Sequence, residues 1–271
     1  MASSSQSVHT FYKSHKTSFE TTDADYKYVK AVKSISEGDI LLFEHALCST
    51  NINDISEGIR YSPELFNSLY PRRMEWSETM FTEQSTQLSE LLSEKVQKNC
   101  FSKNNTYYIG KDVTKFNHLE KPNALCRFID IIDLGLPTNV AIMYIIAIKD
   151  IPVDEEILIW YGNAYFNENH EEVEYDTTKY QTKIESFIPQ YIKKPIFESV
   201  TFNHLCAYYG LYIANDTLYP TEKFFKYYEK EYKQKPNAEN VKEWLKLKRD
   251  RLHIILQNWY SLYIFLDGDI G

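Results

Sequence analysis

A chain of 271 residues is long enough for one large domain or two smaller ones, and 43% hydrophobic residues can fill a sizeable core. The formal net charge of −8 argues against a nucleic-acid phosphate backbone as the main partner. It suits a basic peptide better. No apolar run approaches the ~18 residues of a membrane span, so neither membrane nor nucleic acid is expected as a partner.

Residues 1–20 open Ser-rich and without an apolar leader segment, so a disordered N-terminal tail is expected there. From 26 to 44, Val29 and Ala31 sit in a short alternating strand. Ser36-Glu37-Gly38-Asp39 reads as a turn and 40–43 as the second strand of a hairpin. Residues 54–100 carry Met74, Met80, Leu88, Leu91, Leu92 and Val96 at helical spacing. A strand at 106–110 puts Tyr107 and Tyr108 on opposite faces.

Asn, His, Pro and Asn crowd the run Phe116-Asn117-His118-Leu119-Glu120-Lys121-Pro122-Asn123, which reads as an irregular turn. Such a turn exposes backbone donors and acceptors to a flat heterocycle. Residues 128–132 form an apolar strand, 133–138 a Gly/Pro turn and 142–148 a buried strand. A turn at Pro152-Val153-Asp154 leads to a strand at 157–160, which delivers Trp160, Tyr161 and Gly162 to its end.

From 167 the composition changes. Glu168, Glu171, Glu172, Glu174 and Asp176 cluster around His170. A solvated linker or docking edge is the expectation there, in preference to a metal site. The cysteines at 48, 100, 126 and 206 are scattered without a Cys-x-x-Cys pair. No zinc site is therefore expected, and the pattern fits a reducing compartment. A soluble intracellular protein, nuclear or cytoplasmic, is the corresponding expectation. Residues 177–271 carry aromatic and aliphatic residues at helical spacing, with Pro189, Pro195, Pro220 and Pro236 at or near the breaks.

The run at 116–123, followed by Glu155-Glu156-Ile157-Leu158-Ile159-Trp160-Tyr161-Gly162, resembles the signature of SET-domain protein lysine methyltransferases. That family joins an Asn-His-x-x-x-Pro-Asn loop to a Glu-Glu-Leu-type strand ending in a catalytic Tyr. The Trp-Tyr-Gly ending is most similar to the PR/SET branch. Single fragments are not specific, since Phe202-Asn203-His204-Leu205 and Lys235-Pro236-Asn237-Ala238 repeat pieces of the loop without the strand.

The resemblance implies short strands with a pseudoknot and a helical insertion at about 54–100; with the helical C-terminal region read from spacing, the expected fold class is α+β. The resemblance implies a catalytic domain over 21–166, and the helical spacing beyond it gives a helical region over 167–271. It also implies transfer of a methyl group from S-adenosylmethionine, leaving S-adenosylhomocysteine, to a lysine of a basic protein such as a histone tail, with no metal. Tyr161 is the implied catalytic residue, and Asn117, His118, Tyr28 and Val29 the implied cofactor contacts. Tyr107, Tyr108, Trp160, Tyr165 and Phe166 are the implied substrate channel. Free tyrosine ionises near pH ~10, so the implied task of Tyr161 is orientation rather than proton removal.

One departure counts against transfer. Where the family has Gly-x-Gly, this chain has Tyr26 and Tyr28. Glycines there would let the backbone approach the methionine part of the cofactor. Two other readings therefore stand beside the enzyme: a degenerate SET module that binds a peptide or partner without transferring methyl, and a helical interaction protein.

Overall fold

The computed structural model describes residues 8–22, 27–81, 85–131, 136–137, 140–161, 175–176, 178–214 and 217–266. In chain order the elements are β1 (His9–Lys13), β2 (Thr17–Thr21), β3 (Lys27–Ala31), β4 (Ile40–Ser49), α1 (Ile52–Arg60), α2 (Pro63–Ser68), α3 (Thr86–Asn99), β5 (Phe101–Lys103) and β6 (Thr106–Ile109). They continue as β7 (Asn117–His118), β8 (Ala124–Ile131), β9 (Val140–Ala147), β10 (Leu158–Ile159), α4 (Gln181–Tyr191), α5 (Lys194–Tyr208), β11 (Leu211–Ala214), β12 (Thr217–Pro220), α6 (Glu222–Tyr232) and α7 (Ala238–Leu266).

The main sheet runs β5-β6-β4-β9-β8, with β1 added to β4. Every residue of β9 is buried. Alternation explains how a strand can be apolar throughout: Val140, Ile142, Tyr144 and Ile146 face the C-terminal helices, while Ala141, Met143, Ile145 and Ala147 face β3, β10 and Phe116. Each fully buried Ile or Val there contributes roughly 1.5–3 kcal/mol. A third cluster holds α1 to α3 against Leu47 of β4 and Ile109 of β6. Helices α1 and α3 start on side-chain caps, Asn51 accepting from Asn53 N–H and Ser85 from Leu88 N–H.

Three expectations are corrected here. In the described part of the tail expected over 1–20, residues 9–13 and 17–20 are strand, since β1 pairs with β4 and β2 with β3. Phe11 and Tyr12 drive this by packing on the C-terminal cluster, a contact that the polar composition of the segment conceals. The hairpin expected between 26–31 and 40–43 is absent. Instead β3 pairs with β2, and the link after it runs beside 147–151, with Ile35 and Ile151 exchanging backbone bonds. The C-terminal region is not purely helical, because β11 and β12 form a hairpin between α5 and α6. Among the described residues no helix is long and apolar enough to cross a membrane.

Candidate active site

Strand β10 pairs in parallel with β7, Leu158 opposite Asn117 and Ile159 opposite His118. On its other side the incoming chain is tied to β3, with Ile157 N–H donating to Val29 O and Ala31 N–H to Glu155 O. A late strand is thus interleaved between an early strand and a mid-chain loop, which is the crossing the resemblance implies. Asn123 clamps it: its Nδ2 donates to Glu156 O at 2.8 Å, and its Oδ1 accepts from Leu158 N–H at 2.8 Å.

This interleaving brings Tyr161 to the loop. The Tyr161 hydroxyl donates to Phe116 O at 2.6 Å, and its backbone N–H donates to His118 Nδ1 at 3.2 Å. Nδ1 is therefore the acceptor of the imidazole, and its proton sits on Nε2. The His118 ring lies 4.8 Å from the Trp160 ring and 5.4 Å from the Tyr161 ring. Because Leu119 N–H bonds to Ile159 O in this register, the peptide groups of His118 itself face away from β10. Asn117 Nδ2 donates to Lys27 O at 2.8 Å and to Glu156 Oε1 at 2.7 Å. Loop, early strand and late strand therefore meet at one amide.

The other expected residues separate. Val29 is fully buried in the core, so only its backbone faces β10. Tyr28 points to the opposite side of β3, where its hydroxyl donates to Glu20 at 2.6 Å. Tyr108 is buried with its ring 4.4 Å from Phe128, in the cluster that contacts Tyr161. Tyr107 faces the other way, onto the α1–α3 cluster. Tyr26, Tyr165, Phe166, Gly162 and the acidic run at 168–174 lie outside the described residues.

Two residues at the site were missed. Phe101 stands 6.0 Å from the Tyr161 ring and opposes Tyr108 across β5 and β6. Only its aromatic character just past a helix end marks it in the sequence. Glu44, fully buried, accepts from the N–H groups of Asp112 and Val113 at 2.9 Å each, and so holds the turn that leads into Phe116. Beside Tyr161 a cavity of about 20 Å³ is lined by Lys98, Asn99, Cys100, Phe101 and Thr114. Burial pushes the Cys100 thiol up to about 12, so it stays protonated there.

A model of the SET domain matches residues 26–162, about half of the chain. The chain belongs to the SET-domain family. A SET domain-containing protein of Acanthamoeba polyphaga mimivirus is 26% identical over 222 residues, which span 74% of this chain and 68% of the relative. Among solved structures, a Plasmodium falciparum protein named as a histone methyltransferase aligns with a TM-score of 0.33 at 16% identity, over 56% of this chain and 98% of that one. So loose a likeness carries no functional argument. Within this SET domain the loop, the interleaved strand and its terminal tyrosine occupy one corner, bounded by β3, β7 and β10.

Proposed function

We propose that this protein is a protein-lysine N-methyltransferase that uses S-adenosylmethionine, with a basic protein segment such as a histone tail as substrate. The observation that carries the reading is the Tyr161 hydroxyl, fixed 2.6 Å from Phe116 O beside the Asn117-His118 loop, in a chain of the SET-domain family.

The donor set around the loop suits the cofactor. Lys27 O and Glu156 Oε1 converge on the Asn117 amide, two acceptors fitted to an ammonium group. The peptide of His118, turned away from β10, offers a donor and an acceptor to a purine edge. When bound, S-adenosylmethionine supplies an electrophilic methyl group. Val29 contributes through its backbone alone, and the Tyr28 side chain is turned away toward Glu20.

The rest follows from the chain's own groups. A free lysine amine is protonated, with a pKa of ~10.4. Apolar walls made by Phe101, Tyr108 and Phe128 disfavour that charge and release the neutral nucleophile. A hydroxyl has two lone pairs as well as its proton. With the proton directed to Phe116 O, the Tyr161 oxygen can accept an N–H of the entering amine and aim its lone pair. Orientation of this kind supplies much of a transfer rate. On this reading 21–166 is the catalytic domain, with its helical insertion at about 54–100, and 167–271 is a supporting region.

One observation favours a second reading. The cavity beside Tyr161, about 20 Å³, holds about one water rather than a lysine side chain. A module that binds a partner without transferring methyl has the same loop and the same tyrosine. Calorimetry with S-adenosylmethionine, followed by labelled methyl transfer to histones, separates them. The enzyme is expected to bind the cofactor and label a basic protein; cofactor binding with no transfer to any basic substrate leaves the binding module.

A further inference from the structure

At the opposite end of β8 from the Asn117-His118 loop, a cavity of about 330 Å³ opens between α5 and α7. Its size falls at the lower end of small-molecule sites, which run from about 300 to 1,000 Å³. Leu205, Leu252, Leu136 and Pro137 make an apolar floor. Above them stand Lys248, Arg251 and the hydroxyl of Tyr209.

The two cations are one turn apart on α7, so they share a face. Burial disfavours the charge on Lys248, and Arg251 opposes it further, so its pKa is lowered. Glu231 favours that charge from a distance, yet among the described residues neither Lys248 nor Arg251 has a carboxylate at ion-pair range. Lys248 is held in place by rings, its ammonium 4.7 Å from the centre of Tyr209 and 5.5 Å from that of Trp244, with the Tyr209 hydroxyl at 3.4 Å. Lys248 is partly buried and Arg251 exposed, so their mutual repulsion is modest, and an anion placed between them turns it into attraction.

We infer that this cavity binds a small amphipathic anion, its oxyanion head between Lys248 and Arg251 and its apolar body on Leu205 and Leu252. A guanidinium matches a carboxylate or a phosphate with two parallel N–H donors, and the Tyr209 hydroxyl adds a third. The cavity shares no lining residue with the one beside Tyr161, and the inference does not depend on methyl transfer.

The test is calorimetric titration of the whole chain with octanoate, octyl phosphate and neutral 1-octanol. Both anions are expected to bind saturably and the alcohol at least tenfold more weakly; the better of the two anions identifies the head group. The double variant Lys248→Gln/Arg251→Gln should bind the anions at least tenfold more weakly. Arg251 is exposed, so Arg251→Gln alone preserves the fold and should already weaken binding severalfold. Absence of saturable binding, equal binding of the alcohol, or full affinity in the folded Arg251→Gln and double variants overturns the inference.

Discussion

Glu44 and Asp112 meet in the protein interior as two carboxylates on either side of one hydroxyl. Thr10 Oγ1 donates to Asp112 Oδ2 at 2.7 Å and lies 3.4 Å from Glu44 Oε2. Lys13 and Lys115 both pair with Asp112, at 2.7 and 2.5 Å. Glu44 instead accepts two backbone N–H bonds. Burial pushes the Glu44 carboxyl up, and the Asp112 charge adds to it, to about 7. Burial works against the charge of Asp112 as well, but Lys115, Lys13 and Thr10 outweigh it and hold that group at about 2.

The two groups give opposite pH signatures. Glu44 protonates near 7 when folded and near 4.5 when unfolded, so the folded chain holds the extra proton between those values. The stability this group contributes therefore falls as pH rises through that window. Asp112 contributes stability that is present above its ordinary carboxyl range and lost as pH falls toward 2. Urea midpoints are therefore expected to be lower at pH 8 than at pH 5.5 in the wild type. The Glu44→Gln variant should flatten this difference, and an unchanged slope in the variant would assign it to other groups.

Gly110 is the residue that admits the Glu44 carboxylate. A Cβ at this position would lie 1.9 Å from Glu44 Oε1 and 2.7 Å from its carboxyl carbon. Both carboxylate oxygens are already engaged, so the side chain has nowhere to retreat. Gly110→Ala is expected to cost about 3 kcal/mol or more, at the upper end of overpacking costs. Thermal unfolding measures this, and recovery of part of the loss in Gly110→Ala/Glu44→Ala would locate the clash.

Much of the site's order along the chain was legible in advance, because the Asn-His loop and the Trp-Tyr strand are contiguous runs. Their pairing was not. The register that sets Asn117 against Leu158 joins residues about forty apart, and no local preference specifies it. Local turn chemistry also misled: Ser36-Glu37-Gly38-Asp39 does turn, with Gly38 at φ 81°, yet β3 finds its partner upstream in β2. Alternation put Tyr107 and Tyr108 on opposite faces, but only the packed sheet decides which face holds Tyr161. Phe101 was invisible for the same reason.

Asn123 is 2% exposed and joins the loop to the interleaved strand by side-chain and backbone bonds together. Removing its amide leaves Glu156 O and Leu158 N–H without that partner inside the protein, at about 1–3 kcal/mol for each buried group. Asn123→Ala should therefore lower the unfolding free energy by roughly 2–6 kcal/mol. Asn123→Asp keeps the acceptor for Leu158 but sets a charge against Glu156 O and the Glu155 carboxylate, so it should be no milder. Denaturant unfolding of the two variants decides; a near-neutral Asn123→Ala would mean that the backbone bonds to β7, β3 and Asn123 N–H suffice to hold β10.

Tyr161→Phe separates chemistry from structure, because it removes the bond to Phe116 O in a half-buried setting while the ring keeps its neighbours Phe101 and His118. A single hydrogen bond contributes about 0.5–1.5 kcal/mol net, so the variant should fold with a loss of about 1 kcal/mol. Cofactor affinity should stay within a few-fold, since Asn117 and His118 are untouched. The transfer step should slow by about 100-fold or more if the hydroxyl aligns the amine. Single-turnover methylation, measured beside calorimetric cofactor binding and thermal unfolding, gives all three quantities on one preparation. A variant that transfers methyl at the wild-type rate would leave the bond to Phe116 O as a structural tie, and the aim of the lysine would then rest on the walls formed by Phe101 and Tyr108.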